Sequence, residues 1–224
     1  MNIFRYTFCL VICILPWPVK RLVLNYFFGY SLCKTSYIGL SWIFPKYLKM
    51  MENAKIATGN VCLHLDRLIM LHDSSIARGN WITGYPKSND DHFSHIVDRD
   101  PSLYIGEHSS ITKKHHFDCT ESIRIGSFTT IAGYGSQFLT HSINIKLAIQ
   151  DAKPISIGDF CFIGTSSTFL GGSMLSNGCV VGANSLVNKA HKESFCLIAG
   201  SPAVLVKKMS ANFKYFTRTK GYID

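Results

Sequence analysis

Between residues 105 and 187, large apolar side chains return at every sixth position within three runs. Ile105, Ile111 and Phe117 form one run and Ile125 and Ile131 a second. Ile157, Ile163, Phe169, Leu175, Val181 and Val187 form a third. A step of six is not a helical period, because a helix would carry successive members of such a series to different faces. The position two residues earlier is usually small: Ser109, Thr129, Cys161, Ser167, Ser173, Cys179 and Ser185. The position one residue later is often glycine or alanine: Gly106, Gly126, Ala132, Gly158, Gly164 and Gly182. Small-x-large is an alternation of two, the strand period. Fainter copies occur at Ala54-Lys55-Ile56-Ala57 and Ser74-Ser75-Ile76-Ala77, with Ile82 six residues after Ile76. Short strands meeting at regular corners predict a solenoid, its interior filled by the large residue and its crowded corner by the small one. Glycine after the large residue supplies a backbone conformation closed to other side chains.

This pattern resembles the hexapeptide-repeat, left-handed β-helix acyltransferases, over about 54–208 and most strongly over 105–203. The resemblance implies an all-β chain folded as a left-handed parallel β-helix. It also implies three six-residue sides to each triangular coil and a homotrimer closed by head-to-tail contacts. The expected division is an apolar, aromatic extension over 1–50, the β-helix over 51–208, and a short helix or tail over 209–224.

Breaks in a repeat are where chemistry tends to sit. There are three, at 84–101, 118–123 and 137–154. The last contains Phe138-Leu139-Thr140-His141-Ser142. In the sugar and xenobiotic acetyltransferases of the maltose and galactoside type, which the chain resembles here, a histidine at the comparable point is the general base. The resemblance thus gives His141 that role. The chemistry suits an imidazole, since a sugar hydroxyl must lose its proton as it attacks a thioester near neutral pH. The second break carries Lys114-His115-His116-Phe117-Asp118. The family places a substrate-binding acidic residue hereabouts, which implies Asp118, with His116 beside it. An upstream asparagine usual in the family has no equivalent, and Lys113 or Lys114 lies near its place. The first break holds Asp90, Asp91, His92 and His95 in a polar loop without a second ligand signature, so no metal is expected. Carbonic anhydrases of the gamma type share the fold, but position 146 is lysine where a second imidazole would be needed.

The segment Gly178-Cys-Val-Val-Gly-Ala-Asn-Ser-Leu-Val-Asn-Lys, followed by Ile198-Ala-Gly-Ser-Pro-Ala, looks like the last coil and exit of the coenzyme A-using members. On that resemblance Gly164, Gly182, Ala183, Lys189 and Lys207 are the expected contacts to acetyl-coenzyme A. The net charge of +9 agrees with an anionic partner. No aromatic-basic recognition motif points to nucleic acid. The eight cysteines are scattered, without CxxC spacing. This favours a reduced, cytoplasmic protein, and Cys161 and Cys179 fill the small slot of the repeat.

Residues 1–50 collect Phe4, Tyr6, Phe8, Trp17, Tyr26, Phe27, Phe28, Tyr30, Tyr37, Trp42, Phe44 and Tyr47 beside lysines and arginines. The uninterrupted apolar stretch at 8–17 is half of what a spanning helix needs. The segment is expected either to lie at a membrane interface or to pack on the main domain or a sister subunit. The expected activity is acetyl transfer from acetyl-coenzyme A to a hydroxyl of a sugar or glycan, in surface-polysaccharide synthesis. An amino-sugar N-acetyltransferase and a non-catalytic scaffold are the alternatives.

Overall fold

The computed structural model describes residues 3–87 and 91–223, without the side chains of 3–6 and 91. Phe4 and Tyr6 of the aromatic extension, and Asp90 and the Asp91 carboxylate of the polar loop, thus lie outside the described residues.

Short strands wind into three parallel sheets, and along the coils consecutive strands go to different sheets; a two-stranded hairpin and the last strand depart from this. This is the β-helix that the six-residue pulse predicts. The first sheet has eight strands, from Ser31–Leu32 through Ser102–Ile105 to Ala190–His191. The second runs from Tyr37–Ile38 to Cys196–Ala199 and adds an antiparallel strand, Val204–Lys208. The third runs from Trp42–Phe44 to Leu186–Val187. Coils stack so that like residues sit over like. Ile105, Ile125, Ile157 and Leu175 are in register on one side. Ile76, Ile111, Ile131, Ile163, Val181 and Ile198 are in register on the next. The third side carries Ile82, Phe117, Phe138, Phe169 and Val187. All are buried. The Phe117 and Phe138 rings stack at 4.6 Å, and Phe138 and Phe169 at 4.8 Å. That is the spacing between neighbouring strands, so backbone pairing and ring stacking are satisfied together. The small slots are buried as well, Cys161, Cys179, Ser167 and Ser185 among them.

The glycines serve a different purpose from the one the repeat suggests. Gly106, Gly126, Gly158, Gly164 and Gly182 do not have positive φ. Instead they lie against the next coil: a Cβ on Gly106 would come within 2.5 Å of Gly126 C, and one on Gly126 within 2.6 Å of Gly158 C. Close approach of backbones requires glycine there. Left-handed conformations fall two residues further on, at His108, Phe128 and Phe160, with φ of 57°, 55° and 54°. These three rings stack outside the corner at 4.8 and 4.9 Å. Such a conformation costs about 1 kcal/mol in a residue with a side chain, and contacts with the tail offset it. Among the described residues the tail contains one short 3-10 turn, Lys214–Phe216. It lays Arg218 along the column, bonded to the Phe128 carbonyl and stacked 3.9 Å over Tyr215.

The expected boundary at residue 50 also moves. The solenoid begins at Ser31: Leu32, Ile38 and Ile43 are buried in its first coil, and Ile38 pairs with Ile56 of the next. Ser36-Tyr37-Ile38-Gly39 obeys the small-x-large-glycine pattern, but the flanking aromatics masked it. Two helices precede this coil, α1 (Ile3–Ile14) and α2 (Trp17–Phe28). They close its end with Ile12 and Leu24, and the buried Lys20 donates from Nζ to the Gly39 carbonyl at 2.8 Å. Burial lowers the pKa of Lys20. No described helix is long and apolar enough to cross a membrane.

Candidate active site

The chain leaves the third side of the helix at Thr140 and returns at Lys153. Thr140 fixes the exit. Its hydroxyl donates to the Asp118 carbonyl at 2.7 Å and accepts from the Glu121 amide at 2.9 Å, while Lys153 N donates to Thr140 O at 3.0 Å. Between those points runs an antiparallel hairpin, His141–Asn144 with Ile149–Ala152. His141 opposes Ala152, and Ile143 opposes Gln150. Side chains alternate across a strand, so His141 and Gln150 share a face as diagonal neighbours. The Gln150 carboxamide oxygen contacts His141 Nε2.

Asp118 stands on the other side of the imidazole. Its Oδ1 accepts from the Thr120 amide at 3.0 Å and the Thr120 hydroxyl at 2.6 Å. Its Oδ2 is left facing His141 Nδ1 at 3.9 Å. That is an ion-pair distance, longer than a hydrogen bond. Both groups are reached by water, so their attraction at rest is worth about 1 kcal/mol or less.

The polar excursion 84–101 supplies the opposite wall. Arg99, buried, gathers it inward: Nη1 donates to the carbonyls of Tyr85 at 2.5 Å and Thr120 at 2.8 Å, and Nη2 to that of Pro86 at 3.0 Å. Its guanidinium lies 4.5 Å over the Phe93 ring. Phe93 in turn meets the His141 ring edge-on at 5.7 Å. The result is an open cleft of about 370 Å³, lined by Tyr85, Phe93, His116, Asp118, His141 and Gln150, with Thr120 beneath. A neighbouring cavity of about 620 Å³ lies between His95, Ile143 and Ile149, and His92 and Gln150 border both.

His141, Asp118 and His116 are thus brought to one cleft. Tyr85, Phe93, Thr120 and Gln150 complete it, though nothing in the repeat singled them out. His115 points away and is buried: its Nε2 bonds the Thr112 hydroxyl at 2.9 Å and its Nδ1 accepts from Ser136 N at 3.1 Å. Burial pushes its pKa down to about 4. Among the described residues no three of histidine, cysteine, aspartate and glutamate are grouped to hold a metal.

Gly164, Gly182, Ala183, Lys189 and Lys207 lie on the last coils, and none of them lines this cleft. A Cβ on Gly164 would come within 2.6 Å of Ala183 N, and one on Gly182 within 2.9 Å of Ala199 Cβ. Coil stacking therefore accounts for both glycines. Ala183, Lys189 and Lys207 are exposed, so a small surface and two ammonium groups remain open to a phosphorylated ligand.

No protein-family model matches the chain. One curated relative is the "Putative lipopolysaccharide biosynthesis O-acetyl transferase WbbJ" of Escherichia coli (strain K12), 26% identical over 129 residues. The match covers 52% of this chain and 65% of that protein, somewhat under two thirds of its length. Among solved structures, the polysialic acid O-acetyltransferase OatWY superposes with a TM-score of 0.59 at 19% identity, over 85% of this chain and 90% of that one. A hexapeptide-repeat-containing acetyltransferase of Vibrio cholerae superposes with a TM-score of 0.49 at 19% identity, over 90% and 86%. The fold is the left-handed parallel β-helix of hexapeptide-repeat proteins.

Proposed function

We propose that the protein transfers an acetyl group from acetyl-coenzyme A to a hydroxyl of a sugar or glycan, with His141 as general base. The observation that carries this reading is the meeting of His141 and Asp118 in one open cleft, where the hairpin leaves the coil. The likeness to WbbJ supports a surface-polysaccharide acceptor.

The donor supplies the acetyl group as an activated thioester. His141 does the proton work. Nε2 faces the cleft; with Gln150 turned aside and the ring proton on Nδ1 toward Asp118, Nε2 takes the proton of the acceptor hydroxyl. The ring then carries a positive charge beside the Asp118 carboxylate, which favours that charge. His141 returns the proton to the departing sulfur, and no acyl-enzyme is needed. His116 and Asp118 hold the acceptor from the strand below, with the rings of Tyr85 and Phe93 walling it in. Gln150 stands where the hydroxyl must come and turns aside into the neighbouring cavity. Ala183, Lys189 and Lys207 are the groups offered to coenzyme A, the lysines to its phosphates. The working assembly is a closed trimer, as in the family the repeat resembles.

The test is radiolabelled acetyl-coenzyme A with a panel of free, nucleotide-linked and lipid-linked sugars. The expected product carries the label in an alkali-labile ester, and His141→Ala abolishes it. An alkali-stable amide would reassign the acceptor to an amino sugar. Full activity in His141→Ala would remove the base from the mechanism, and no transfer to any acceptor would leave a scaffold.

A further inference from the structure

We propose that the outer face of α1 and α2 docks on the surface of an anionic lipid bilayer. A solenoid needs a polar outer surface on its terminal cap to stay in water. This cap has the opposite. Ile12 and Leu24 point into the first coil, while Leu10, Ile14, Leu22, Tyr26 and Phe27 point out, with Ile14 73%, Tyr26 85% and Phe27 65% exposed. The patch is continuous across both helices, because Phe8 of α1 meets the Phe27 ring of α2 at 5.9 Å and Phe27 meets Tyr26 at 5.1 Å. A contiguous apolar face of this kind marks a site of contact.

Charge selects the occupant. The first acidic residue of the chain is Glu52, whereas Arg5, Lys20, Arg21, Lys34, Lys46 and Lys49 precede it. Lys20 is consumed inside by the Gly39 carbonyl. Lys34 is exposed on the first coil, and Arg21 of α2 reaches that coil at the Leu32 carbonyl. A second copy docking on this face would set cation against cation, with no carboxylate in either helix or the first coil to neutralise them. Anionic headgroups supply that charge, and acyl chains take the apolar side chains. Each helix has 12 residues, enough to lie in the interface and too few to span. Aromatics beside basic groups suit that depth.

The test uses the full chain and sucrose-loaded vesicles, either phosphatidylcholine alone or with about one third phosphatidylglycerol, sedimented together with the protein. Binding to the mixed vesicles is expected to be tighter by about tenfold or more and to weaken with added salt. The triple variant Ile14→Gln, Leu22→Gln, Phe27→Gln changes only exposed positions. It should keep the circular dichroism and oligomeric state of the parent and lose the binding. Wild-type protein that stays in the supernatant with both vesicles overturns the proposal, as does a variant that sediments like its parent. Equal binding to both vesicles overturns the anionic assignment. A smaller oligomer in the triple variant would assign the face to a second copy of the chain. None of these readouts depends on acetyl transfer.

Discussion

Asp118 Oδ2 lies 3.9 Å from His141 Nδ1, although the two residues belong to successive turns of the solenoid. Asp118 pairs with Leu139, two residues before the histidine, and Thr120 holds the other carboxylate oxygen. Asp118→Asn keeps an acceptor for Thr120 and removes the charge. The expected result is a fall in kcat of about 10²-fold, with the KM for acetyl-coenzyme A unchanged. Steady-state kinetics decide it: an unaltered kcat would mean that the carboxylate does not act on the ring.

Gln150 covers His141 Nε2 in the resting cleft. Gln150→Ala uncovers it. The rate at which diethyl pyrocarbonate modifies His141, followed by peptide mass, should rise several-fold, and the acceptor KM should fall. If the glutamine were only a hairpin strut, both quantities would stay where they are.

Stability should decline with acid because of His115. Its ring is neutral in the folded protein, with Nδ1 accepting from Ser136 N, so a proton there would face an N–H donor. Burial lowers its folded pKa to about 4, against about 6.5 in the unfolded chain. The unfolded state therefore binds the extra proton between those values. The contribution is complete above about pH 6.5 and is lost as pH falls towards 4, about 3 kcal/mol in all. Urea denaturation across that window should show the slope, and His115→Gln should flatten it.

Phe138 stacks between Phe117 and Phe169 in the middle of the third side. Phe138→Ala should cost about 3–5 kcal/mol, read from chemical denaturation. Phe138→Leu should cost less than half of that. Equal losses would show that the column is held by its backbone ladder rather than by its rings.

The interior of the solenoid was legible because one residue class must recur wherever a coil turns inward, and Ile105, Phe117, Ile163 and Val181 are such positions. His141 was legible because it stands where that recurrence stops. Gln150 and Phe93 were not. They reach the cleft through a hairpin register and through the carbonyls gathered by Arg99, and neither leaves a period in the chain. The first coil at Ser31 was not legible either: its inward residues Leu32, Ile38 and Ile43 keep the six-residue step only once, and Tyr37, Trp42 and Phe44 flank them. The glycines were recognised as special, yet the reason is coil-to-coil contact, which only neighbouring turns reveal.

The strand Val204–Lys208 runs antiparallel to Cys196–Ala199 and forms the outermost edge of its sheet. A parallel coil offers at its last rung the same template as at every rung before, so hydrogen bonding alone gives it no reason to stop growing. Reversing direction there, and ending on Lys207 and Lys208, refuses the next molecule at that edge. A fold whose logic is that of a fibre is thereby closed on one of its three sides.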